Sequence, residues 1–225
     1  MFKLVTLEKR TLSLLLSICI IIFVICIDQI LKFWIKCNFH LGENVFDLGV
    51  LRFDFVENPG MAFGWSFGSQ LSKSLLSIFR ILAVLGIGYY IIKLIKTNAN
   101  LVFICLVSLI FAGAFGNIID NLFYGLIFDS GTTWNDYVGG WVPYSGISKA
   151  DFSGYSSLLS GCVVDMVHLV FYWPEWAPFG LEGEIFPPVF NVADFFISLS
   201  VFIILLFYKK LVRKQDLELS LKKKD

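Results

Sequence analysis

The amino-acid sequence predicts an α-helical integral membrane protein: four transmembrane helices, with a small β-sheet and irregular loops on the outer face. Three observations carry the prediction. The 225 residues are 57% hydrophobic, with 24 Phe and a mean hydropathy of +0.76, where soluble domains run nearer ~45–50% apolar. The apolar residues gather into four long runs, and Lys and Arg flank those runs unevenly. Eighteen basic residues balance eighteen acidic ones, so net charge points to neither nucleic acid nor an acidic partner.

Taken in order, the helices are expected at about 11–35, 73–95, 98–120 and 191–208, all in one membrane domain, 1–225. Each reaches the ~20 residues needed to cross ~30 Å of hydrocarbon. Lipid cannot satisfy free backbone groups, so each run is read as a helix. The first continues through Asp28-Gln29, and the second is interrupted by Arg80. No A-x-A-like site follows the first run, so it reads as a retained anchor rather than a cleaved signal peptide. Lys3, Lys9 and Arg10 precede it, Lys93 and Lys96 join the second and third, and Lys209, Lys210, Arg213 and Lys214 follow the fourth. These clusters share one side of a four-span topology, which the positive-inside rule makes cytoplasmic along with both termini. The tail 209–225 is then cytoplasmic, and the segments 36–72 and 121–190 are outside.

The outer segments have readable texture. In GVLRFDFV, 49–56, Leu51, Phe53 and Phe55 alternate with Arg52 and Asp54, the pattern of a half-buried strand, and Asn58-Pro59-Gly60 is turn chemistry. Residues 129–161, rich in Gly, Ser, Tyr and Trp, read as an irregular loop. Residues 171–188 hold four of the six prolines and two tryptophans, a composition suited to lying on lipid. The five cysteines show no CxxC or Cys/His ligand spacing, so neither a zinc site nor a disulfide framework is indicated.

Acids and amides cluster where the apolar runs meet the outer face, and an ionisable residue in a span is a functional candidate by default. Each also has a plainer reading. Asp28 and Lys32 stand at i, i+4 and can simply pair. Asn58 and Gly60 can simply turn the chain. Asn117 and Asp120, in GAFGNIID, can tie helices together beside the small residues Gly113 and Gly116. Asn191 and Asp194 have the spacing of an N-cap and an acid at N3, and capping explains them as well as chemistry does. Asp165, inside VVDMV, needs a partner, and the local sequence does not say which group that is. Cys162, Asp165 and His168 form a weak nucleophile alternative with no accompanying elbow motif.

In order, IDQILK, ENPGMAFG, GAFGNIIDNLFYG, VVDM and FNVADFFI resemble the lipoprotein signal peptidase family (signal peptidase II), over nearly the whole chain. The resemblance implies an aspartyl protease of the bacterial inner membrane, multi-pass, with its active site at the periplasmic face. It implies that the enzyme cuts prolipoproteins just before a diacylglyceryl-modified cysteine. Its catalytic pair would be Asp165 and Asp194. Asn58, Gly60, Asn117 and Asn191 would shape the site, and Asp28, Lys32 and Asp120 would support it. No cofactor or metal is implied. The expected partners are the lipid-modified prolipoprotein, membrane lipid and globomycin-type inhibitors, with the enzyme a monomer and no nucleic acid. Two departures stand out. Asn121 occupies the position where the family usually has Arg, and Phe195 the position where it usually has Ser. The outer loops are longer than in compact members.

Two other readings predict different patterns. A small transporter would spread its acids through the depth of several spans, whereas these concentrate at one edge. A non-catalytic assembly factor would use the acids as structural glue, so that Asp→Asn changes cost stability and partner binding but no hydrolysis. The long outer loops are expected to form a lid or cradle, so that trimming 131–158 lowers turnover without unfolding the helices.

Overall fold

The structure, a computed structural model, describes residues 2–60, 70–174, 176 and 182–212. Met61 to Gly64 of the ENPGMAFG stretch, part of the 171–188 loop and the tail 213–225 lie outside those residues. The chain forms two compact units. One comprises 1–27, 80–116 and 193–225, and the other 28–79 and 117–192.

In chain order the elements are α1 (Phe2–Asn38), β1 (Asn44–Asp47), β2 (Leu51–Asn58), α2 (Gln70–Lys96) and α3 (Leu101–Ile119). A π-helical turn, Asp120–Tyr124, leads from α3 into α4 (Gly125–Ile127). Then come β3 (Thr133–Asn135), β4 (Gly140–Val142), β5 (Val163–Leu169), β6 (Val189–Phe190), α5 (Val192–Leu206) and α6 (Tyr208–Leu211).

The first unit is helical. Ile91, Leu94 and Ile95 of α2 pack on Phe103, Ile104, Leu106 and Val107 of α3, with Leu211 of α6 closing the cluster. Asn100 caps α3 by accepting from the Val102 amide at 2.9 Å. A side chain at Gly113 of α3 would run into the Ala193 carbonyl and Ile197 of α5, so here the small residue does permit close helix approach. Large apolar side chains such as Phe23, Leu82 and Leu85 are exposed. That suits helices solvated by hydrocarbon, where no water penalises an apolar surface.

Among the described residues, three stretches are long and apolar enough to cross a membrane: Leu7–Asn38, Lys73–Lys96 and Leu101–Ile127. The third outruns its expected end at 120, because the chain turns through the π segment instead of stopping. The fourth expected span, 191–208, is a 15-residue helix, Val192–Leu206, broken at Phe207 before α6. At 1.5 Å per residue that helix is about 22 Å long, short of a hydrocarbon core by itself.

The second unit holds an antiparallel sheet in the order β1-β2-β5-β6. The expected strand at 49–56 is β2, two residues later, with a bulge between Phe53 and Val56. Its alternation puts Phe55 into a core with Ile35, Tyr124, Phe128, Val164 and Met166, and leaves Arg52 and Asp54 on the opposite face. The 129–161 segment corrects the irregular-loop expectation in part. It contains the β3-β4 hairpin, where Trp134 pairs with Trp141, and its return leg docks on the π turn. There the Gly161 amide donates to the Asn121 carbonyl at 3.0 Å, and a side chain at Gly161 would meet the Asp120 carbonyl.

Candidate functional site

Asp165 occupies the middle of β5, opposite Val56, with 3% of its surface exposed. A carboxylate buried in a strand needs donors, and one comes from across the fold. The Asn191 Nδ2 donates to Asp165 Oδ1 at 2.7 Å and to Asn117 Oδ1 at 3.0 Å. Asn117 Oδ1 also accepts from Lys32 Nζ at 2.9 Å. Lys32 in turn lies 2.7 Å from Asp28 and 2.8 Å from Asp120, all three fully buried. Gln29 donates to Asp120 at 2.8 Å and accepts from the Tyr124 hydroxyl at 3.1 Å, and the Val164 amide donates to Asp120 at 3.4 Å.

One polar network thus joins Asp28, Lys32, Asn117, Asp120, Asn191 and Asp165. Two carboxylates share one ammonium, a surplus of negative charge that is tolerable in the interior only because every charge is paired and hydrogen-bonded. The i, i+4 pairing of Asp28 with Lys32 exists, but as the root of this network rather than as a surface ion pair.

Asn191 directly precedes α5. Capping uses a side-chain oxygen and the site uses the amide nitrogen, so the two roles are compatible. Asp194 lies in the first turn of α5, in the helical unit. Asn58 ends β2 opposite Val163, and its Oδ1 accepts from the Gly60 amide at 2.9 Å. Gly60 adopts φ +106, a conformation that favours glycine. The turn role expected for this pair is therefore present. Asn121 is buried, its amide donating to the Asn117 carbonyl at 2.9 Å on its own helix.

The Cys162 nucleophile alternative loses its basis. Six residues of strand at ~3.3 Å each hold Cys162 and His168 about 20 Å apart. Burial pushes the Cys162 thiol up to about 11 despite Lys73 beside it, keeping it protonated. His168 is engaged elsewhere, 2.6 Å from Asp54 and 3.2 Å from Glu184.

Sequence reasoning missed three buried charges. Lys36, fully buried, pairs with Glu57 and donates to the Ser130 carbonyl at 2.9 Å. The rings of Phe128, Tyr144 and Tyr155 surround it at 4.9, 4.8 and 5.3 Å. Glu57 also accepts from the Thr132 amide at 2.6 Å. Lys73, at the start of α2, donates to the Ser160 carbonyl at 2.7 Å and lies 4.7 Å over the Trp141 ring. A signal did exist for Lys36: Asp28, Lys32 and Lys36 repeat every fourth residue and so share one helix face. These contacts seat the 129–162 segment on buried cations.

Residues 20–210 match the family model for signal peptidase (SPase) II. A lipoprotein signal peptidase of Porphyromonas gingivalis is 39% identical over 199 residues, covering 86% of this chain and 82% of that protein. One from Amoebophilus asiaticus is 34% identical over 200 residues, covering 83% and 75%. Among solved structures, a bacterial membrane enzyme determined by the in meso method at 2.3 Å superposes with a TM-score of 0.52 at 26% identity, covering 93% of both chains. Another, at 1.9 Å, gives 0.53 at 24% identity, covering 87% of this chain and 94% of that one.

Proposed function

The chain belongs to the signal peptidase II family of membrane peptidases, and from that premise we propose that Asp165 and Asp194 form the catalytic pair of an aspartic endopeptidase. It removes the signal peptide of prolipoproteins, cutting before the diacylglyceryl-modified cysteine. The observation that carries this reading is Asn191: its amide holds Asp165 within the buried network, and Asp194 follows it by three residues at the start of α5.

Two neighbouring carboxylates share one proton and titrate as a pair. The ionised member takes a proton from water, and the protonated member donates to the scissile carbonyl as the tetrahedral oxyanion forms. Asn191, Asn117 and the Lys32 cluster hold Asp165 in a preorganised polar setting that need not rearrange during the reaction. The topology we assign has four spans, with α5 the fourth, cytoplasmic termini and the pair at the periplasmic face of the inner membrane. That depth meets a substrate whose acyl chains stay in the bilayer. The enzyme acts as a monomer, without a cofactor, and binds globomycin-type inhibitors at the pair.

The test is cleavage of a diacylglyceryl-modified prolipoprotein by purified protein in detergent. Asp165→Asn and Asp194→Asn are each expected to lower turnover on the order of 10⁴-fold or more while keeping the thermal midpoint near wild type. Wild-type rates in both folded variants would sink the dyad.

A further inference from the structure

Beyond β5 the chain continues as a ribbon. The Trp173 amide donates to the Gly183 carbonyl at 3.1 Å and the Ile185 amide to the Phe171 carbonyl at 2.6 Å, with Tyr172 paired antiparallel to Glu184. The pairing sets the faces, because side chains alternate along each strand. Phe171, Trp173 and Ile185 fall on one side, and Tyr172 and Glu184 on the other.

The polar side is anchored. Glu184 lies 3.2 Å from His168 and accepts from the Tyr172 hydroxyl at 3.4 Å, and His168 is tied to Asp54 on β2 at 2.6 Å. On the apolar side, Phe171, Trp173 and Ile185 are 45%, 38% and 45% exposed. An isolated two-stranded ribbon is marginal in water, and this one leaves its apolar side chains partly exposed. The ribbon returns to the sheet through β6, from which a single residue, Asn191, leads into the apolar helix α5. A bilayer surface is therefore within covalent reach of the ribbon, and a Trp-bearing apolar face backed by an ionic one is the composition that partitions to a membrane interface.

We propose that the ribbon 170–174/182–186 is a membrane-interface anchor. Its Phe171, Trp173 and Ile185 face enters the headgroup boundary of the outer leaflet, and the Asp54–His168–Glu184 cluster fixes its angle to the sheet. This assignment does not depend on the catalytic pair.

The experiment uses full-length protein in nanodiscs, with Trp173 as the sole tryptophan and the others replaced by phenylalanine. Prolipoprotein cleavage serves as the check on folding. Phosphatidylcholine brominated high on its acyl chains is expected to quench about half of the Trp173 emission, lipid brominated near the chain ends less, and aqueous acrylamide little. Acrylamide quenching as strong as that of free tryptophan, with no effect of bromolipid, would overturn the proposal. Protection from both quenchers would overturn it too, assigning the face to a protein partner such as a second copy. Where the single-tryptophan protein does not fold, Trp173→Phe in the wild-type background reads the same property. Bromolipid quenching falls if Trp173 lies in lipid, and stays unchanged if the proposal is wrong.

Discussion

Lys32 and Lys36 sit one turn apart on the same helix, are equally buried, and have opposite surroundings. Lys32 is shared by two carboxylates and passes hydrogen bonds through Asn117 and Asn191 to Asp165. Lys36 meets one carboxylate, one carbonyl and three aromatic faces. The first environment is a polar chain with a charge surplus, which a reacting group can use. The second is charge-balanced and closed by rings, a cation–π cage that fastens a loop. Burial of a lysine therefore does not by itself mark function. With Asp165 as the proposed catalytic group, the direction in which its hydrogen bonds lead does.

The comparison can be broken at either end. Trimming 131–158 removes Tyr144 and Tyr155 from the cage, and with them Thr132 from Glu57 and Trp141 from Lys73, while touching no partner of Lys32 described above. The expected outcome is loss of the folded state in a detergent thermal scan, since the buried Lys36–Glu57 pair loses two of its three rings and the Thr132 amide that enclose it. A trimmed enzyme that folds and merely turns over more slowly would restore the lid.

Next in size is Lys32→Met. It leaves Asp28 and Asp120 buried together, at a cost of about 3–5 kcal/mol. Cleavage per folded molecule should also fall, because Asn117 and Asn191 lose their anchor. Intact cleavage would separate the lysine from the site. For Lys36, the informative measurement is a double-mutant cycle. Lys36→Met and Glu57→Gln should each destabilise, and the pair together should do so by less than the sum, with a coupling of about 1–3 kcal/mol. Specific cleavage by whatever remains folded should be unchanged, in contrast to Lys32.

The smallest effect lies on the outer sheet face. Burial raises the Asp54 carboxyl, but hydrogen bonds from Asn44, His168 and Arg52 outweigh it and hold the group below its ordinary value of 3.8. A depressed folded-state value adds stability that is present above the ordinary pKa and is lost as pH falls through the folded one. Thermal midpoints should therefore drop below about pH 4, and Asp54→Asn should flatten that drop. The same slope in both proteins would assign it to other groups.

Much of this was legible beforehand. The three long helices were, because an apolar run of ~20 residues has few other stable forms in lipid. Asp28 with Lys32 was legible as neighbours on one helix face. The alternation in 49–56 located a strand to within two residues, and the bulge between Phe53 and Val56 that shifts its pairing leaves no local mark. Asn191 admitted capping and chemistry equally, and nothing local in the sequence marked the Asp165 carboxylate that its amide meets. The π turn after Ile119 was not readable either, since it rests on a loop amide, Gly161, 40 positions from the Asn121 carbonyl that accepts it.

By itself, then, the sequence determined which segments are helical, which strand face is apolar, and which ordered motifs mark the family, because each depends on residues close together in the chain. The tertiary structure decided which charge answers which. Lys36 takes its carboxylate from 21 positions away and its carbonyl from 94, and Gln29 reaches Asp120 across 91. A buried ion must be satisfied by whatever groups the fold brings to it, and no local pattern along the chain records which those will be.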